Sequence, residues 1–374
     1  MKADVRAYTP TDWPRLAEFI HDYWSPTHPI LSQRLFNWQY HGYLNGNSSP
    51  DRPPALVLWE GDRLIGFLGL IHGEYQLNRP DGRLAPGVAL AMWMIHPELR
   101  GAGLGPRLLV EVEARSDVVV CLGVNREAGA CYQRRGYRQI EALDRWVAPL
   151  EADGYAALCK ATVELADLRA WASALREATP APPVELSADA LADAWRRTTW
   201  NGGSWRVQGL HRSAHFWQTR YLESVGYHYL AWGVPIAGPL VIGRIEAVAG
   251  QPLRVLRLVE LLPRDPSAWH GPADPALAEL VAGVSAWAAE QNCVAVDYQS
   301  GGGALRATLE QTALRCQARP IECDPATSLA PVFQPLNFDK PAINVYYRAP
   351  ADVADERWYF PKSDGDMDRP HAMP

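Results

Sequence analysis

Apolar positions along the first 150 residues follow two alternating periods. Helical spacing dominates in TDWPRLAEFIHDYW, Thr11 to Trp24, which Thr or Asp opens as a cap. DVRAY, from Asp4, reads as a short strand, and ALVLWE and RLIGFLGLIH as a strand pair joined at Gly61-Asp62. PGVALAMWMI is a third strand that runs into a glycine-rich loop. A helix over about Leu104–Arg115, the buried strand VVVCLGV, a helix over about Glu127–Arg135 and the strand RWVAPL complete the run. Strands grouped first and then alternating with helices predict a mixed, mostly antiparallel sheet flanked by helices, an α/β (α+β) fold.

The stretch REATPAPPVELSADA, with Pro180, Pro182 and Pro183, breaks this pattern before a new helix capped at Ser187. The expected division is a first unit over 1–150, a linker region over 151–186, a second unit over 187–350 and a tail over 351–374. HFWQTRYLESVGYHYLAWGVPIAGPLVIGRIEAV echoes LFNWQYHGYLNGNSSPDRPPALVLWEGDRLIGFLGL: each has an aromatic and Gln cluster, a strand, a turn and a second strand. LRVLRLVELLP, a helix over ALAELVAGVSAWAAEQ, the strand CVAVDY and a helix after GGGA follow in the same order as in the first half. The second unit reads as a diverged tandem copy of the first.

A chain of 374 residues is long enough for two such cores. Its net charge of −6 offers no domain-wide basic excess to displace counterions, which argues against a nucleic-acid partner. Cys121, Cys131, Cys159, Cys293, Cys316 and Cys323 form no Cys-x-x-Cys pair, and read as reduced thiols of a cytoplasmic protein without a metal. The first residues lack an apolar leader segment, and the run VALAMWMI is too short to span a bilayer, so no membrane partner is expected.

The glycine loop carries the sharpest chemical signal. In WMIHPELRGAGLGPRLL a strand enters Arg100, Gly101, Ala102, Gly103, Leu104 and Gly105, and a helix leaves. Such a turn presents unpaired amides at the positive end of a helix dipole, a cradle for phosphate. Arg100-x-x-Gly103-x-Gly105 resembles the signature of the Gcn5-related N-acetyltransferases. NREAGACYQRRGY, with Asn125, Ala128, Tyr132 and Gly136-Tyr137, resembles that family's second motif. The resemblance implies coenzyme A, as acetyl-CoA or another short acyl-CoA, bound by the loop and by Asn125. It also implies Tyr132 near the sulfur as the acid for the leaving thiolate, and strand amides around Met94 and Ile95 for the thioester carbonyl. From the residues alone, Tyr132 is equally readable as a core aromatic. The second copy has LLPRDPSAWHGPADPA at the loop position, where Pro263 and Pro266 remove donors, so no second CoA is expected there.

HDYWSPTHPILSQRLFNWQY, His21 to Tyr40, and RWYFPKSDGDMDRP, Arg357 to Pro370, are similar to tandem acyltransferases of bacterial surface-polysaccharide biosynthesis. That resemblance implies a small-molecule acceptor, the amine of a nucleotide-linked amino sugar, attacked directly in a ternary complex by a monomer or homodimer. Another small amine, or an acyl-CoA-binding protein without turnover, is the alternative. Candidate bases are His28, Glu74 and Glu260, with His72 and His96 as rivals; each has a structural reading as cap, ion-pair partner or turn residue. Trp200 and Trp205 are candidates to stack on sugar or base, or belong to the core. Lys362 and Arg369 are candidates for a nucleotide phosphate, and Asp364, Asp366 and Asp368 for sugar hydroxyls. The alternative for this tail is a solvated, frayed terminus.

Overall fold

The computed structural model describes residues 3–41, 52–159, 164–234, 237–248, 251–317 and 343–368. The first half runs β1 (Asp4–Ala7), α1 (Trp13–Tyr23), α2 (Gln33–His41), β2 (Ala55–Glu60), β3 (Arg63–Gln76), β4 (Leu84–Ile95), α3 (Leu104–Glu113), β5 (Val118–Leu122), α4 (Arg126–Arg134), β6 (Arg138–Ile140) and β7 (Asp144–Pro149). Then come α5 (Ala152–Leu158), α6 (Leu165–Arg176), α7 (Ala188–Thr199), β8 (Gly209–Leu210), α8 (Ala214–Trp217), a π-helical turn at Gln218–Leu222, β9 (Leu230–Gly233) and β10 (Leu240–Ala247). The chain continues through β11 (Arg254–Leu262), α9 (Pro275–Glu290), β12 (Cys293–Gly301), α10 (Arg306–Leu309), β13 (Arg315–Gln317), β14 (Val345–Arg348) and β15 (Phe360–Pro361).

Two mostly antiparallel sheets result. Among the described residues the first has the order β1-β2-β3-β4-β5-β14-β6, with β8 on β3, and the second β13-β7-β12-β11-β10-β9, with β15 on β12. Each contains one parallel pair, β4 with β5 and β11 with β12. β3 and β4 are covered on both faces, which is why their sequences are nearly continuous in apolar residues.

The sheets trade strands across the expected division. β7, read as closing the first unit, pairs with β12 and β13 in the second sheet; β14, from the second half, pairs with β5 and β6 in the first. The region expected as a linker forms α5 and α6, which bury Tyr155, Leu158, Leu168 and Trp171 in the core of the second sheet. That core also takes Val118, Val120 and Leu122 from β5, so the two units share one apolar interior. On the opposite face of the first sheet, Leu104, Leu108, Leu109 and Val112 of α3 and Tyr132 of α4 build a separate cluster.

The tail differs most from the reading as a frayed terminus. Lys362, Asp364, Asp366 and Asp368 are all buried. The cause is a set of arginines brought by distant elements. Arg244 lies 2.8 Å from Asp368, Arg220 3.2 Å from Asp368, and Arg212 2.6 Å from Asp364. Arg369 lies outside the described residues.

Candidate functional site

β4 and β5 pair in parallel over Gly87–Leu90 and Val118–Cys121 and then separate. A bulge drives the separation. The β3–β4 register shifts between Phe67 and Gly69, and Met92 takes φ 53°, a conformation uncommon for a side chain. His96 donates its amide to Ile65 O at 2.9 Å, so by strand alternation the Ile95 amide points away from β3, toward the side β5 has left, while that of Met94 faces β3. The Ile95 carbonyl on the open side accepts from Arg100 Nε at 3.4 Å.

The glycine loop closes one end of this opening. Gly101 and Gly103 have φ of 84° and 74°, and Gly103 caps α3 without a side-chain hydrogen bond. Among the described residues, the amides of Gly103, Leu104 and Gly105 donate to no protein acceptor. Gly105 answers a different need: a Cβ there would lie 2.7 Å from the Trp93 ring. Trp93 therefore packs against the start of α3, with its ring 5.5 Å from that of Tyr132.

Tyr132 projects from α4 into the same opening, between Trp93, Tyr137 and Tyr346. It is buried, and its hydroxyl makes no hydrogen bond of ordinary geometry, although the Cys121 thiol lies beside it. Burial pushes the phenol well above its usual range, so it holds its proton at neutral pH, and pushes the Cys121 thiol up to about 12. The Trp93 Nε1 is likewise buried without a partner. Two buried donors without a partner of ordinary geometry among the described residues, beside three amides at a helix N-terminus, fit a long ligand with acceptors along its length and phosphate at one end. The sequence pattern does not single out Trp93 or Cys121; the signal for Trp93 is a bulky aromatic in a strand otherwise made of Ala, Val, Leu and Met.

The remaining candidates have structural occupations. Asn125 caps α4, its side chain accepting from the Ala128 amide at 2.9 Å. His28 caps a short turn, Nδ1 accepting from the Ile30 amide at 3.2 Å. Glu74 is exposed on β3. His72 is buried against the Pro53 carbonyl and pushed down to about 4. His96 is buried beside Arg63 at 2.6 Å. Trp200 and Trp205 pack on each other, and Trp205 donates to Gly82 O at 2.9 Å, pinning the turn between β3 and β4.

Glu260 is fully buried and receives Arg212 at 3.1 Å, Tyr221 at 2.8 Å and Tyr359 at 2.9 Å. It lies at the opening between β11 and β12, which pair only over Arg254–Leu258 and Cys293–Tyr298. Here the chain fills its own gap. β15 pairs with β12 at Ser300 and Gly301, and Tyr359 bonds Tyr298 at 3.1 Å as well as Glu260. Beyond it, burial and the Glu260 charge outweigh Arg212 and push Asp364 up to about 8. Burial would raise Asp368 as well, but Arg244 and Arg220 hold it well below the usual carboxylate range.

Residues 13–137 match the acetyltransferase (GNAT) family profile. No curated protein matches the chain by sequence. Among solved structures, a GCN5-related N-acetyltransferase from Anabaena variabilis is similar at 12% identity and TM-score 0.54, over 85% of this chain and 71% of that one. One from Kribbella flavida is similar at 13% identity and TM-score 0.52, over 93% and 71%. The Saccharomyces cerevisiae N-myristoyltransferase with bound myristoyl-CoA shares the fold at 11% identity and TM-score 0.50, over 94% and 82%. None of the described helices is long and apolar enough to cross a membrane. Residues 13–137 thus carry a domain of the acetyltransferase (GNAT) family, a class of CoA-dependent acyltransferases.

Proposed function

We propose that the chain transfers a short acyl group from acyl-CoA to the amine of a nucleotide-linked amino sugar, by direct attack with both substrates bound. The observation that carries the donor half is the β4–β5 opening, with free amides at Gly103, Leu104 and Gly105 and the unpaired Tyr132 hydroxyl. Acyl-CoA supplies an activated carbonyl carbon; no covalent enzyme intermediate is needed once an amine is held in reach. The three loop amides hold the pyrophosphate, with Arg100 beside them. The Ile95 amide polarises the thioester carbonyl, and Tyr132, which keeps its proton, supplies it to the departing sulfur.

The acceptor half rests on the likeness of His21–Tyr40 and Arg357–Pro370 to polysaccharide acyltransferases, and on the burial of the second segment against the end of β5. The test is free-thiol release from acetyl-CoA and 3-hydroxybutyryl-CoA against a panel of nucleotide-linked amino sugars. Turnover with one sugar amine is the expected result. Thiol release with other amines and none with the sugars overturns the acceptor class, and acyl-CoA binding without any release overturns catalysis.

A further inference from the structure

The donor cradle sets the direction in which a thioester lies. The glycine loop that starts α3 stands beyond the far end of β4, whereas β4 and β5 are still paired at Leu90 and Cys121. A donor whose phosphates sit on the loop amides runs back along the opening and brings its sulfur toward Cys121 and Tyr132. The acyl carbons beyond the sulfur meet strands that are closed, so they must leave the plane of the sheet.

Most of the surroundings are already filled. On the helical face Tyr132, Tyr137 and Tyr346 are buried together, with Tyr132 4.8 Å from Tyr137 and 5.6 Å from Tyr346 between ring centres. A Cβ on Gly129 would lie 2.7 Å from the Tyr346 hydroxyl, so α4 leaves no room there. Toward α1 and α2, Met92 and Met94 of β4 are buried in the core that those helices form with the sheet. The β5 rim is different. Gly123, which follows β5, is exposed and takes φ 68°. The Met367 thioether occupies the place of its missing side chain: a Cβ there would lie 2.6 Å from Sδ and 2.7 Å from Cε. In the C-terminal segment Asp364, Asp366 and Asp368 are buried, whereas Gly365 and Met367 are half-buried and pass over Leu122 and Gly123. The buried neighbours on either side hold Met367 at this rim, and its unbranched thioether adapts to whatever lies against it.

We infer that Met367 is the residue that meets the acyl group of the donor and limits its length, an assignment that rests on the acyl-CoA reading of the opening above. Its Cγ, Sδ and Cε stand where a longer chain would run. Replacing them by Ala removes three heavy atoms, room for about three more acyl carbons.

The test is calorimetric titration of the full-length protein, without an acceptor, with CoA, acetyl-CoA, butyryl-CoA and hexanoyl-CoA. Met367→Ala and Met367→Trp are run beside the unaltered chain. Met367→Ala is expected to raise the affinity for hexanoyl-CoA about tenfold relative to acetyl-CoA. Met367→Trp is expected to weaken butyryl-CoA about tenfold. CoA itself, which has no acyl group, is expected to stay within about threefold in both. An unchanged chain-length profile in the two variants overturns the assignment. So does an equal loss for CoA and all its esters, because Met367 then supports the fold of the donor site and does not touch the acyl group. If the unaltered protein binds neither CoA nor any ester, it is the acyl-CoA reading that fails, and this assignment with it.

Discussion

The two parallel strand pairs, β4–β5 and β11–β12, begin alike and end differently. Each pair separates toward its C-terminal end, and each is followed by a loop and a helix packed on the sheet. In the first, the loop is glycine-rich, and among the described residues three amides and the buried donors of Trp93 and Tyr132 have no hydrogen-bond partner of ordinary geometry. In the second, Pro263 and Pro266 occupy the loop and β15 adds itself to β12, so that Tyr298, Tyr359 and Glu260 satisfy one another inside the gap. A buried polar group without a partner costs on the order of 1–3 kcal/mol. Tyr298, Tyr359 and Glu260 escape that cost in the second opening, whereas Trp93 and Tyr132 bear it at the first. An unpaired donor is expected where a ligand completes the hydrogen bonds, which is what the proposed donor site at β4–β5 requires.

The largest expected effect comes from unlocking the closed half. Asp368→Asn leaves Arg244 and Arg220 buried beside a neutral amide, and removing one partner of a buried pair costs about 3–5 kcal/mol. Denaturant unfolding is the measurement; a loss below about 1 kcal/mol would mean that the arginines find other partners and that the tail is not what seals the second opening. The two acids of this segment also have opposite pH signatures. Asp368 is depressed, so its stabilisation is present above the ordinary carboxylate range and fades as pH falls. Asp364 is raised to about 8, so the native state holds an extra proton from about pH 4 upward, and its contribution is lost as pH rises toward 8. Asp364→Asn is therefore expected to flatten the decline in stability between those values, read from Tm against pH.

Much of the open half is legible in sequence because its determinants are local. The glycine loop follows β4 and starts α3, and Asn125 to Tyr137 spans one helix and its caps, so spacing alone orders them. The closed half is not legible in that way. The burial of Lys362–Asp368 depends on arginines at 212, 220 and 244, and a strand such as β7 or β14 carries no mark of which sheet it joins. Single acidic residues mislead for the same reason: Glu260 has the apolar neighbours of a perturbed base, yet three donors from distant segments saturate it.

A second prediction sharpens the comparison from the open side. Tyr132→Phe removes the unpaired hydroxyl while keeping the ring that packs on Trp93, Tyr137 and Tyr346. Loss of a general acid is worth about 100-fold in kcat, or roughly 3 kcal/mol, with acyl-CoA affinity nearly unchanged. The corresponding change in the closed half, Tyr359→Phe, removes one of the three donors to Glu260 and is expected to lower stability instead of rate. If Tyr132→Phe proves to be only a stability change, the two openings are alike and the distinction between a working and a sealed half falls.

The smallest expected effect separates helix capping from ligand contact. α4 starts at Asn125, whose side chain accepts from the Ala128 amide at 2.9 Å, and runs for nine residues; α10, in the equivalent place of the second half, runs for four, and its cap residue Leu305 has φ 61° and no side-chain hydrogen bond. Asn125→Ala should therefore cost about 1 kcal/mol of stability, the usual worth of an N-cap. Its effect on acyl-CoA binding decides what else the residue does. Tyr132 lies almost two turns along the helix and is fixed by its aromatic neighbours, so a pure cap leaves affinity and kcat within about twofold once the protein is folded. An affinity loss of about tenfold, roughly 1.4 kcal/mol, would instead mean that the exposed Asn125 amide reaches the bound ligand, and that the open half differs from the closed one in a second ligand contact as well as in its loop.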